Sequence, residues 1–181
     1  MFIFIVLIGA ILIGLARGGS LGNFADLKIA WQPIILLGFL IQVLVFSEAW
    51  QANADLKGAT PLAYLLSLIL LLVALTKNYR VPGMPFILFG FFLNFTAIAL
   101  NGGHMPASLS ALETAGLFSL TPGATNNNSI GMGANTPLWF LCDIFAIPKG
   151  FPLPNVFSIG DVLIAIGAVL LIQKVMVQPP K

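Results

Sequence analysis

Residues 157–177 read FSIGDVLIAIGAVLLIQKVMV, with one acid near the start, one lysine near the end and almost only apolar or small residues between. An α-helix rises 1.5 Å per residue, so ~20 such residues match a hydrocarbon layer of ~30 Å. The segment reads as a membrane-spanning helix. Similar apolar runs occupy 2–16, 31–47, 61–76 and 84–100, each bounded by helix breakers. Arg17-Gly18-Gly19 closes the first run and Pro33 lies near the start of the second. Pro61 opens the third, Pro82-Gly83 with Pro85 opens the fourth, and Asn101-Gly102-Gly103 ends it. A shorter run, Leu138 to Ile147, carries Asp143 and is too short to span, so a re-entrant or interfacial helix is expected there.

The expected fold is therefore all-α: an integral membrane bundle of five transmembrane helices plus that short helix, in a single transmembrane domain over 1–181. Composition agrees. Of 181 residues, 59% are apolar and 8% charged, against roughly a quarter charged in soluble domains, and the mean hydropathy is +1.01. Met1 to Ala16 lacks a leading Lys or Arg and a small-residue cleavage site, so it is expected to stay as a helix.

Scarce charge also excludes functions. Eight Lys and Arg against six Asp and Glu are too few and too scattered to bind nucleic acid. One Cys, Cys142, and one His, His104, rule out an intrachain disulfide and leave no C-x-x-C or H-x-x-x-H spacing for a structural metal. Loops rich in Lys and Arg stay in the cytoplasm. Placing Arg17, Lys28, Lys77, Arg80, Lys174 and Lys181 inside, with Lys57 and Lys149 outside, predicts an outside N-terminus and a cytoplasmic C-terminus. Residues 101–156 then lie on the outer face. Thr121 to Thr136 reads as an exposed loop, and Ser108 to Phe118 as a short surface helix with Ser110 and Glu113 in capping-box spacing.

An ionisable residue at membrane depth is costly, which makes it a functional candidate. Asp143 and Asp161 qualify. The Pro- and Gly-containing stretch between them lets the chain turn and bring both carboxyls to the outer interface. Two close carboxyls cannot both ionise, and such a pair can activate water with one member and protonate a leaving group with the other. Each also has a structural reading. Asp161 falls at N3 after a Ser158 N-cap, where a carboxylate complements the positive end of a helix, and Asp143 can be a buried acid held by backbone amides or Asn side chains.

Asn94 and Asn101 share a helix face and can either complete a site or bond a neighbouring helix. His104 and Met105 stand in Asn101-Gly102-Gly103-His104-Met105-Pro106 as further binding candidates. No cofactor is expected; one axial His such as His104 can suffice for a tetrapyrrole, against the commoner role of a lone His at a helix end as a polar interfacial residue. No spacing supports a triad of Ser108, His104 and Asp143. Gly131-Met132-Gly133 lacks the third glycine and the following helix of a phosphate loop.

Three stretches together, Arg17-Gly18-Gly19-Ser20-Leu21, Asn101-Gly102-Gly103-x-Met105-Pro106 and 155–167 (NVFSIGDVLIAIG), resemble the DUF5317 family of bacterial membrane proteins of unknown function, which implies the bacterial cell membrane. Locally, 140–167 is similar to the catalytic end of lipoprotein signal peptidase, an aspartyl enzyme working within the membrane. That resemblance implies catalytic roles for Asp143 and Asp161. The Asp-Gln-x-Thr-Lys-like and Asn-x-x-Asp-Arg-like elements of that enzyme are absent, Asn135-Thr136-Pro137-Leu138-Trp139 standing roughly where the second is expected.

Two functions follow as expectations. One is a non-catalytic accessory subunit associating with lipid, a pigment or a larger membrane complex, with Gly9, Gly14, Gly38, Gly90 and Gly167 permitting close helix contacts. The other is an intramembrane aspartyl hydrolase. A transporter lacks support, since no inverted repeat is visible.

Overall fold

The computed structural model describes residues 2–117 and 120–177, so Phe118 and Lys181 lie outside the described residues. The chain is mostly helical. In order come α1 (Phe2–Ala16), a 3-10 turn (Leu21–Asp26), α2 (Gln32–Val45), α3 (Glu48–Ala52), α4 (Ala54–Lys77), α5 (Met84–Leu100), β1 (Met105–Ala107) and α6 (Leu109–Ala115). Then follow β2 (Thr125–Asn126), β3 (Ser129–Gly131), a 3-10 turn (Trp139–Leu141), β4 (Phe145–Ile147), β5 (Asn155–Phe157) and α7 (Ile159–Met176).

Five of these helices are long and run alternately up and down, but they do not close into the expected bundle. Their principal contacts are α1 with α7, α7 with α5, α5 with α4, and α4 with α2. The helices therefore form a row, α1–α7–α5–α4–α2. Phe2 stacks on Phe157 at one end, while Gly14 lies against Met176 at the other, so α1 and α7 run parallel.

The expectation of five spanning helices is also corrected. Among the described residues two helices are long and apolar enough to cross a membrane, Leu56–Lys77 within α4 and Ile159–Met176. The other three, α1, α2 and α5, have 15, 14 and 17 residues, or ~21 to ~26 Å of helix. Caps and turns bite into the apolar runs. Ser47 accepts a bond from the Trp50 amide and starts α3 instead of extending α2, and Gly83, at φ 79, turns the chain immediately before α5. α4 gains what α2 loses: the Asn53 side chain accepts from the Leu56 amide at 3.2 Å, so the helix begins at Ala54 and carries Pro61 inside it.

The tightest seam joins α5 to α7. Gly83 and Gly90 face Gly167 and Gly160 in antiparallel register, and a Cβ on any of the four would run into the backbone of the other helix. Small residues at such crossings let backbones touch, which is how helices associate where lipid removes the hydrophobic drive. Of the glycines singled out from sequence, Gly90 and Gly167 lie on this seam, Gly14 packs on Met176 and Gly38 on Leu71, whereas Gly9 faces open space.

Residues 101–117 and 120–157 cap one end of the row. The expected helix at 138–147 is absent: Leu138 sits at φ 49, one 3-10 turn follows, and Phe145–Ile147 pairs antiparallel with Asn155–Phe157. The Pro/Gly stretch between the two strands closes a β-ladder, so the fold is not purely α. The expected exposed loop likewise forms a hairpin, β2 against β3 across Asn127 and Asn128, with β1 added in parallel. The short helix near Ser108 is present as α6, ended by Gly116 at φ 62, but its capping box is not: the Ser108 hydroxyl meets that of Ser110 instead. Beneath the cap, Tyr64, Leu68, Ala97, Ile98, Met105 and Cys142 form a buried apolar cluster.

The long helices expose large apolar side chains. Phe4, Leu36, Val43 and Leu62 are 61%, 68%, 68% and 65% exposed. Basic side chains gather at the end opposite the cap, where Lys77 lies over the Trp31 ring at 5.0 Å and Arg17 donates to the Gln173 side chain at 2.7 Å.

Candidate functional site: an acid-bearing pocket under the cap

The start of α7 is built by its own sequence. The Ser158 hydroxyl accepts from the Asp161 amide at 3.0 Å while the Asp161 carboxylate accepts from the Ser158 amide at 3.0 Å, a complete capping box. Asn94, brought in by the α5–α7 seam, locks this box. Its amide donates to the other Asp161 oxygen at 2.8 Å and its carbonyl oxygen accepts from the fully buried Ser158 hydroxyl at 2.7 Å. Of the two sequence readings of Asp161, the structural one is present: it caps α7.

Removing one member of this ring leaves the others unpaired, and each buried unsatisfied group costs ~1–3 kcal/mol. Asn94→Leu is expected to lower stability by about 2 kcal/mol and Ser158→Ala by about 1 kcal/mol. The double variant should cost less than the sum, because both changes break the same bond. Denaturation of the detergent-solubilised protein, followed by circular dichroism, measures this; strict additivity would mean that the ring is not a unit.

Asp143 is held differently. Its amide donates to Pro106 and its carbonyl accepts from Ser108, which stitches it beside β1. Its carboxyl has no hydrogen-bond partner among the described residues, yet no sealed, unsatisfied polar atom exists there either. Its oxygens open onto a pocket of about 480 Å³ lined by Asp143, Asn126, Asn127, Asn128, Ser129 and Asn155, with Leu112, Leu117 and Val156 as the apolar side. Burial pushes the Asp143 carboxyl up to about 8, the negative charge of Asp161 adds to this, and the chain's α-amino charge opposes it. The carboxyl is protonated at neutral pH. Burial, with Asp143 as a second cause, raises the adjacent Cys142 thiol to about 11, so it stays neutral and inert.

The remaining sequence candidates are dispersed. Asn101 bonds the Ala97 and Pro137 carbonyls and ties α5 to the cap. Met105 is buried in the apolar cluster. His104, its Nδ1 at 3.2 Å from the Gly102 carbonyl, lines a second pocket of about 540 Å³ with Glu48, Lys57 and Thr60. The site brings together Asn94, Ser158 and Asp161, and sets Asp143 within electrostatic reach of Asp161.

Sequence reasoning missed Tyr64, Asn128 and Asn155. The Asn128 side chain reaches the Tyr64 hydroxyl, which also feels the charges of Asp143 and Asp161. Three consecutive asparagines before Ser129 were the available signal, because Asn tolerates the φ of 55 that Asn127 adopts in a two-residue turn.

No curated protein and no solved structure matches the chain. A family described as of unknown function, DUF5317, matches residues 26–173, most of the sequence including the seam glycines, the hairpin and both acids, and the chain belongs to that family.

Proposed function

We propose that the chain is a multi-pass protein of the bacterial cell membrane, N-terminus outside and C-terminus cytoplasmic, serving as a non-catalytic subunit that packs against other membrane proteins and lipid. The observation that carries this reading is the single row of five long helices, each exposing large apolar side chains. A water-soluble monomer rarely exposes a contiguous apolar patch beyond a few hundred Å². Three helices fall ~4 to ~9 Å short of ~30 Å, a mismatch that local thinning and snorkelling anchors accommodate at a cost of fractions of a kcal/mol per Å. Trp31, Tyr79 and Lys77 at one end and Trp139 at the other suit that interfacial role.

Orientation is tested with a membrane-impermeant maleimide in intact cells. Asn127→Cys should label without lysis and Arg17→Cys only after it, the fully buried Cys142 adding little background; the reverse pattern overturns the orientation. Association is tested by purification in mild detergent. A partner at fixed stoichiometry supports the subunit role, and a protein that runs alone and monodisperse counts against it.

A second reading, an aspartyl hydrolase acting at the outer interface, is favoured by the coupling of Asp143 to Asp161. The similarity of 140–167 to lipoprotein signal peptidase supports it as well. Protonated Asp143 would supply the leaving-group proton and Asp161 would activate water. Against it, both Asp161 oxygens are engaged by the capping box and Asn94. Asp143→Asn and Asp161→Asn should each abolish cleavage of a membrane-anchored peptide while leaving the circular dichroism unchanged; cleavage retained by either variant sinks this reading.

A further inference from the structure

The pocket under the Asn126–Asn128 hairpin has a chemistry that neither reading uses. Its described wall carries one carboxyl, the side-chain amides of four asparagines and the Ser129 hydroxyl, and no basic side chain. Leu112, Leu117 and Val156 give it an aliphatic side. Among the described residues no basic side chain lines it: Lys57 and His104 line the other pocket, and the Lys149 stem lies against Gly116.

We propose that this pocket binds a primary ammonium group on a short aliphatic stem, with the Asp143 carboxylate as its counter-ion. An ammonium carries three donors and no acceptor, which suits an acid that has no hydrogen-bond partner among the described residues, beside asparagine amides whose oxygens can accept. A phosphate or carboxylate ligand would meet the Asp143 carboxyl and the nearby charge of Asp161, with no basic side chain on the described wall to offset them.

The titratable groups facing Asp143 are Asp161 from α7, Tyr64 from α4 and the neutral Cys142 thiol beside it, with the α-amino charge opposing. The hairpin, α6 and β5 put no titratable side chain on the pocket wall. In the empty pocket the carboxyl keeps its proton up to about pH 8. The ammonium must displace that proton, so its affinity should rise close to tenfold per pH unit below 8 and level off above it, until the amine itself deprotonates.

Calorimetry on the full chain in detergent tests this with three probes: ethanolamine, its neutral analogue ethylene glycol, and inorganic phosphate. Ethanolamine alone should bind, and Asp143→Asn should weaken it at least tenfold. As a readout that needs no variant, the infrared carbonyl band of a protonated carboxyl should vanish from the wild-type protein on adding ethanolamine at pH 7. Equal binding of ethylene glycol, preference for phosphate, or an unchanged band overturns the proposal. Bilayers separate the two sources of the ligand. If it is a lipid headgroup, the band is already missing in phosphatidylethanolamine and present in phosphatidylglycerol; if it is a free amine, the band is present in both until ethanolamine is added.

Discussion

Gly90→Val is expected to cost the protein about 3 kcal/mol or more, the upper end for overpacking a tight contact. A Cβ at Gly90 would lie 2.9 Å from the Ile164 amide nitrogen and from the Leu163 Cβ, and closer still to the Gly160 carbonyl. Backbone atoms cannot rotate away as a side-chain tip can. The helices must separate, and α5 then no longer delivers Asn94 to Ser158 and Asp161. Gly167→Val, whose Cβ would sit 2.7 Å from Ile87 Cγ1 and 2.8 Å from its amide nitrogen, should behave alike. Gly9→Val, facing open space, is the control and should shift stability by no more than ~0.5 kcal/mol. Denaturant titration in mixed micelles compares the three, and a Gly90→Val protein as stable as Gly9→Val would remove the seam from the account.

The second large effect is on pH dependence. The Asp143 carboxyl titrates at about 8 in the fold and near its ordinary 3.8 in the unfolded chain. Between those values the folded state binds more protons than the unfolded one, so stability falls as pH rises through the window, by up to about 1.4 kcal/mol per unit. Above 8 this contribution is constant, and below 3.8 it is fully present. Asp143→Asn keeps a neutral side chain of the same shape at every pH. Its stability should therefore lack the decline and exceed that of the wild type most at pH 8 and above. A wild-type profile as flat as that of the variant would show that the carboxyl is already ionised at neutral pH.

Much of the secondary structure was legible because membrane-type helices announce themselves by length and breakers. Ser158 at the N-cap with Asp161 at N3 was readable for the same local reason, and the box is there. The failures are tertiary. The segment around Asp143 is apolar enough for a helix, but Asn155–Phe157 offers it a strand partner, and no local pattern reveals that pairing. Pro61 reads as a helix start, yet Asn53 caps the helix earlier. Gly83 and Gly160 were passed over because each reads as a turn or cap residue; only the antiparallel register with Gly167 and Gly90 gives them a packing role. At the site, the two acids were found because charge is rare here, whereas the asparagines that share the Asp143 pocket look like ordinary loop composition until the hairpin folds.

A row of helices has two sides and no inside. A conduit for ions or solutes needs a ring of walls, and α1–α7–α5–α4–α2, with its two end helices in no substantial contact with each other, encloses none among the described residues. Any passage across the bilayer that used this chain would have to be walled on its second side by another layer, so permeation would belong to an assembly and would vanish when the chain is isolated.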